Sequence, residues 1–280
     1  MKVDAHQHYW QPARGDYDWM PEDNPTLSRV YTPDDLAPQL ADAGFARSVL
    51  VQAAATVNET EYMLGLADAT ASVGAVVGWA DFEASDVAET LGRLANHPKF
   101  SGVRPMIQDI ADDDWMLRDD VQSGFRAISD LDLTFDALGF PRHLSNFLTI
   151  LARYGDMRSV VDHCMKPDIA GHNPGSFRFW ADGMSTIAAE TGAYCKLSGL
   201  VTEARENWTL DDLRPYALHV LEAFGPERVM WGSDWPVVRL RVEYDRWLET
   251  AEALTDELSA EGKARVFGGT AAEFYRISAA

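Results

Sequence analysis

At 280 residues, 46% of them hydrophobic, the chain can build a substantial core as one large α/β barrel or as two small domains. Its net charge of −20, from 24 Lys and Arg against 44 Asp and Glu, argues against nucleic acid or an anionic membrane as partner. No run approaches the roughly 20 apolar residues of a membrane-spanning helix, and the opening MKVDAHQH turns polar too early for a secretory signal.

Short β-rich apolar runs alternate with amphipathic stretches along the whole chain. The runs are KVDAH (2–6), SVLVQA (48–53), GAVVGWA (74–80), SGVRPMI (101–107), LTFDAL (133–138), SVVDHC (159–164), AYCKLSG (193–199) and RVMWGSDW (228–235). Several are apolar nearly throughout, as strands of a parallel sheet buried on both faces are. The stretches between them carry helix start signals. Thr32 precedes Pro33 in TPDDLAPQLADAG, and Asn58 with Glu61 resembles a capping box in NETEYMLGLADA. Gly44, Gly155, Gly192 and Gly225 fall where helices should end. A helical region near 243–258 and a short C-terminal helix near TAAEFYRI complete the series. Eight such units predict a single (β/α)8 barrel domain over 1–280. No G-x-G-x-x-G follows a strand, so the doubly wound alternative lacks its main support. Cys164 and Cys195 lie in apolar runs and read as buried reduced thiols, which makes a cytoplasmic location the expectation.

Function in such a barrel collects at the carboxyl ends of the strands. The first run ends in His6 and His8, which an extended strand points to one side, with Asp4 in the same row. Arg104 stands on the fourth run, Asp136 on the fifth, Asp162 and His163 on the sixth, Lys196 on the seventh and Asp234 on the eighth. Strand alternation predicts that only one of Asp162 and His163 faces inward, and His163 is the expected one. Asp234, bracketed by Trp231, Trp235 and Pro236, is expected to be desolvated, with its pKa raised towards that of a general base. Residues 9–32, holding Tyr9, Trp10, Tyr17, Trp19 and Tyr31, read as a lid on which a sugar ring could stack.

Together, DAHQHYW, GVRPMIQ, VVDHCMKP, KLSGLVTEA and WGSDWPV resemble the amidohydrolase superfamily. They are most similar to the amidohydrolase-related branch that includes L-fuconolactonases and L-rhamnonolactonases. The resemblance implies hydrolysis of a sugar lactone by water activated at Asp234, with His163 and Arg104 as further catalytic residues. It implies one divalent metal ion, Zn²⁺, held among His6, His8, His163 and Asp234, while the branch also contains members that do without metal. Arg104 on the fourth strand and Asp136 on the fifth depart from the binuclear pattern and argue against two metals. Lys196, Asp136, His143 and Trp19 are the candidates for binding sugar hydroxyls. A metal-dependent decarboxylase of the same fold, and a non-catalytic sugar-acid binding protein, are the rival readings. The sequence leaves a homo-oligomer open.

Overall fold

The apolar runs form eight parallel strands in the computed structural model, which describes residues 1–278. The strands are β1 (Lys2–Gln7), β2 (Phe45–Val51), β3 (Val73–Gly78), β4 (Phe100–Val103), β5 (Thr134–Ala137), β6 (Arg158–Val161), β7 (Tyr194–Leu197) and β8 (Val229–Trp231). Neighbours pair in chain order from β1 to β8. The loop after β8 then returns to β1. Asp234 N–H donates to the His6 carbonyl at 2.8 Å, and His8 N–H donates to the Trp235 carbonyl at 2.7 Å. The outcome is a nearly closed (β/α)8 barrel, as the alternation of runs predicts.

Around it lie α1 (Pro33–Ala43), α2 (Val57–Ala69), α3 (Val87–Leu94), α4 (Gln122–Asp130), α5 (Leu144–Arg153), α6 (Pro174–Glu190), α7 (Leu200–Glu203), α8 (Leu210–Phe224) and α9 (Tyr244–Leu254). The start of α1 follows the sequence signal: the Asp35 carboxylate accepts from Thr32 N–H at 2.8 Å, with Pro33 in the first turn. The start of α2 does not. Its cap is Thr56, whose Oγ1 accepts from Glu59 N–H at 3.0 Å, so Asn58 and Glu61 lie inside the helix. Thr56 wins because its backbone is extended where a cap must be.

Two short helices, α10 (Ala260–Ala264) and α11 (Thr270–Phe274), end the chain. Phe274, Tyr275 and Ile277 pack against Val3, Ala5, Val49, Val77 and Met230 inside the barrel. This C-terminal segment therefore closes the barrel floor, leaving the opposite end as the mouth. Cys164 and Cys195 are buried and unbridged. Among the described residues, no helix is long and apolar enough to cross a membrane.

Candidate active site

His6 and His8 converge as their spacing on β1 predicts, with Nε2 atoms 3.2 Å apart. His8 donates Nδ1–H to the Val51 carbonyl at 2.7 Å, which leaves the lone pair of the neutral ring on Nε2. Lys196 Nζ lies 3.1 Å from His6 Nδ1. An ammonium only donates, so Nδ1 accepts and the His6 ring proton sits on Nε2, pointing at His8. Burial and the Lys196 charge hold the His6 pKa well below its ordinary value. Asp4, in the same row, takes no part in this cluster. It accepts the N–H groups of His6 and Ser233 and ties β1 to the loop after β8.

The sixth strand breaks the expected alternation. β6 ends at Val161, and His163, Cys164, Met165 and Lys166 all adopt left-handed backbone with φ between 48° and 60°. The pleat therefore stops before Asp162, and both Asp162 and His163 turn inward. Trp180 braces the turn by donating Nε1–H to the Cys164 carbonyl at 2.7 Å. His163 Nδ1 shares a 2.8 Å hydrogen bond with Ser198 Oγ. Gly199, at φ +66°, lets the His163 ring approach, since a Cβ there would come within 2.8 Å of it.

Asp234 also sits at positive φ, 57°, in the loop beyond β8. Its Oδ1 lies 3.4 Å from His8 Nε2, 3.7 Å from His6 Nε2 and 3.9 Å from His163 Nε2. Burial raises its pKa as the sequence predicts, but the charges and hydrogen bonds of these imidazoles overcome that effect. The carboxyl is held below the ordinary range. The expectation of a raised pKa was therefore wrong in sign, because it counted the tryptophans and not the histidines. His163 carries the reciprocal burden: burial lowers its pKa to about 4, despite the raising influence of Asp234.

A cavity of about 320 Å³ opens above this cluster, lined by His8, Arg104, His163 and Asp234, with Trp10 and Trp19 of the first loop at its edge. Trp19 donates Nε1–H to the Ala53 carbonyl at 2.6 Å, which pins the loop to the barrel rim. Tyr9 and Tyr31 are buried and pack around Trp235. Only part of the aromatic loop thus faces the cavity.

Lys196 and Asp136 do not line the cavity. They lie within β7 and β5 and point into the barrel, one layer below the mouth. There Lys196 pairs with Asp136 Oδ2 at 2.6 Å and Asp162 Oδ1 at 3.0 Å, all three fully buried. Arg104 reaches Asp162 Oδ2 at 3.3 Å and also binds the Gln52 carbonyl. Of the two carboxylates sharing Lys196, burial pushes Asp136 up, whereas Asp162 is held well below the ordinary range by Lys196 and His6 against its own burial. His143 is further off. It sits before α5, accepts Phe140 N–H through Nδ1 at 3.0 Å and meets Asp113 at 3.1 Å. It braces a loop and does not reach the cavity.

Several residues here escaped the sequence reading. Tyr275, in the floor segment, donates to Asp136 Oδ2 at 2.6 Å. Glu59 is buried and accepts the N–H groups of Ala53 and Ala54, fixing the β2–α2 loop. Gln108, Lys166 and Glu203 line the cavity opposite the first loop. The buried Glu59 in NETEYM and the lysine three residues after His163 were visible as residues, but no periodicity marks them.

His6, His163 and Asp234 each offer one ligand atom, all within 4.8 Å of one another. Two imidazoles and one carboxylate suit Zn²⁺, and ligands bound at 2.0–2.1 Å in a tetrahedron stand roughly 3.3 Å apart. The distances from His6 Nε2 and His163 Nε2 to Asp234 Oδ1, 3.7 and 3.9 Å, are a few tenths of an ångström above that spacing. The residues fit one divalent ion. His8 falls outside the three-residue group and stands at its edge.

A family model described as amidohydrolase matches residues 3–277. The chain belongs to the amidohydrolase family. This amidohydrolase is 44% identical to an L-fucono-1,5-lactonase of Burkholderia ambifaria, over 99% of this chain and 96% of that one. It is 36% identical to an L-fucono-1,5-lactonase of Burkholderia multivorans with the same coverage. The crystal structure of a zinc-bound amidohydrolase from Burkholderia multivorans superimposes with a TM-score of 0.92 at 36% identity, covering 99% of this amidohydrolase and all of that chain.

Proposed function

We propose that this amidohydrolase opens a sugar-derived lactone, an aldonolactone of the L-fucono-1,5-lactone type, with the barrel serving as one catalytic domain. The observation that carries the reading is a single buried carboxylate facing three imidazoles across the floor of a cavity sized for one sugar ring. Asp234, held ionised, accepts a proton from water as the water attacks the lactone carbonyl. His163, accepting from Ser198 Oγ at Nδ1 and so carrying its proton on Nε2, donates to the oxyanion as it forms, while the lone pair on His8 Nε2 helps orient the water. A bound divalent ion would supply Lewis-acid polarisation of the carbonyl at this point. Arg104, already committed to Asp162 and Gln52, fixes the floor and adds positive potential beside the oxyanion. Trp10 and Trp19 offer ring faces for the sugar, and no serine or cysteine nucleophile is needed.

The full-length likeness to two proteins named L-fucono-1,5-lactonase supports this reading over a decarboxylase. The fifth strand weighs the same way: Asp136 is spent on Lys196 and Tyr275 and cannot serve as a metal-binding substitute for histidine. A panel of aldonolactones followed with a pH indicator tests the proposal. Hydrolysis releases a proton per turnover, and L-fucono-1,5-lactone is expected among the best substrates. Turnover of an aromatic acid with none of any lactone would overturn it.

A further inference from the structure

Ring opening leaves an alkoxide, and the cavity must supply a donor for it on the side away from Asp234. Most donors lining the cavity are already spent. Trp10 N–H binds the Leu27 and Arg29 carbonyls, and Trp19 N–H binds Ala53. Arg104 is held by Asp162 and Gln52, with a buried Nε–H left without a partner, while His8 Nδ1–H is held by Val51 and the Thr202 hydroxyl by Gly199.

Lys166 differs. Its Nζ lies 2.8 Å from Gln108 Oε1 and 3.5 Å from Glu203 Oε1, and its side chain is 19% exposed. An ammonium has three donors, and these contacts use two. The third has no oxygen or nitrogen acceptor among the described residues, although the Phe140 ring centroid lies 5.3 Å from Nζ. The backbone points the same way. Four consecutive non-glycine residues, His163 to Lys166, hold left-handed conformations, and such strain clusters at working sites. What the turn achieves is specific: it places His163 and Lys166, three residues apart, on the wall of one cavity.

We propose that Lys166 is a catalytic residue for the second half of the reaction, the donor to the leaving ring oxygen. The proposal rests on the lactonase reading. Water oxygen bonds to the carbonyl carbon while Asp234 takes the water's proton. The tetrahedral intermediate then collapses, the bond from carbon to ring oxygen breaks, and that oxygen takes a proton from the Lys166 ammonium. Lys166 regains its proton from solvent, Asp234 releases its own, and the new carboxylic acid ionises, so one proton appears per lactone opened. Glu203 and Gln108 act as positioning residues that aim the ammonium into the cavity.

The test compares wild type with Lys166→Met and Lys166→Gln on three lactones, after a denaturation curve confirms that the variants fold. Neither δ-valerolactone nor dihydrocoumarin has sugar hydroxyls, so neither reports sugar recognition. The first expels an alkoxide that needs a proton, the second a phenolate that does not. Loss of the donor is expected to lower kcat for δ-valerolactone about 10²-fold, and to lower it far less for dihydrocoumarin. On L-fucono-1,5-lactone the loss is expected mainly in kcat. Equal losses on the two plain lactones, or a loss on the aldonolactone carried by KM, overturn the role of Lys166. Wild type that opens no lactone at all would instead remove the lactonase reading beneath it.

Discussion

Lys196 on β7 and His6 on β1 meet below the mouth, with Nζ 3.1 Å from Nδ1, and this contact, shorter than the 3.4 Å approach of Arg104 Nη1 to Nε2, favours the His6 proton on Nε2. Because the same ammonium also bridges Asp136 and Asp162, it couples the ring that faces Asp234 to the charge balance of the barrel interior.

Replacing that cation should therefore be costly. Lys196→Met leaves two buried carboxylates to share the interior without it, and breaking a buried ion pair from one side typically costs about 3–5 kcal/mol. Urea unfolding of the variant measures this. A loss under about 1 kcal/mol would mean that the pairs add little. Long-range ¹H–¹⁵N spectra of the metal-free wild type should show His6 Nδ1 unprotonated.

Asp234→Asn keeps the shape of the side chain and removes its basicity. General-base loss is expected to lower kcat on a good aldonolactone about 10²–10⁴-fold, with KM little changed. Near wild-type turnover would place the base elsewhere.

Metal analysis of dialysed protein reloaded with Zn²⁺ should reach no more than one equivalent per chain. One group of ligands is present among the described residues, and the neighbouring carboxylates of Asp136 and Asp162 are already paired with Lys196 and Arg104. Two tightly held equivalents would contradict this arrangement.

The barrel was legible in the sequence because parallel strands buried on both faces leave continuous apolar runs. His6, His8, His163 and Asp234 were legible as residues at strand ends. Height within the barrel was not. Strands end earlier than apolar runs do, so Lys196 and Asp136 read as rim residues although they lie in the interior layer. The turn after β6 was hidden for another reason: four left-handed residues without a glycine leave no local signal, and alternation wrongly sent Asp162 outward.

Glu59 gives a pH dependence with a definite sign. Burial raises its pKa from 4.5 to about 7, although the N–H groups of Ala54 and Ala53 favour the anion. The folded state binds this proton more tightly than the unfolded chain. Its stabilising contribution is complete below about pH 4.5 and is lost as pH rises through about 7. The full difference is on the order of 3 kcal/mol. Unfolding free energies at pH 5 and pH 8 should fall less in Glu59→Gln than in wild type. Identical changes would show that Glu59 is ionised throughout.

The floor segment carries a consequence for how the molecule is made. Tyr275 reaches Asp136 from a segment that follows all eight strands in sequence, so the polar layer under His6 is completed by residues made after the barrel strands. All eight strands and most helices can form while Asp136 and Lys196 still face an open, wet barrel. Domains of this size fold through partly built forms that expose apolar surface, and here Val3, Val49 and Val77 stay uncovered until Phe274 and Ile277 dock. Assembly of the catalytic geometry thus waits on a short helix that is made after all eight strands.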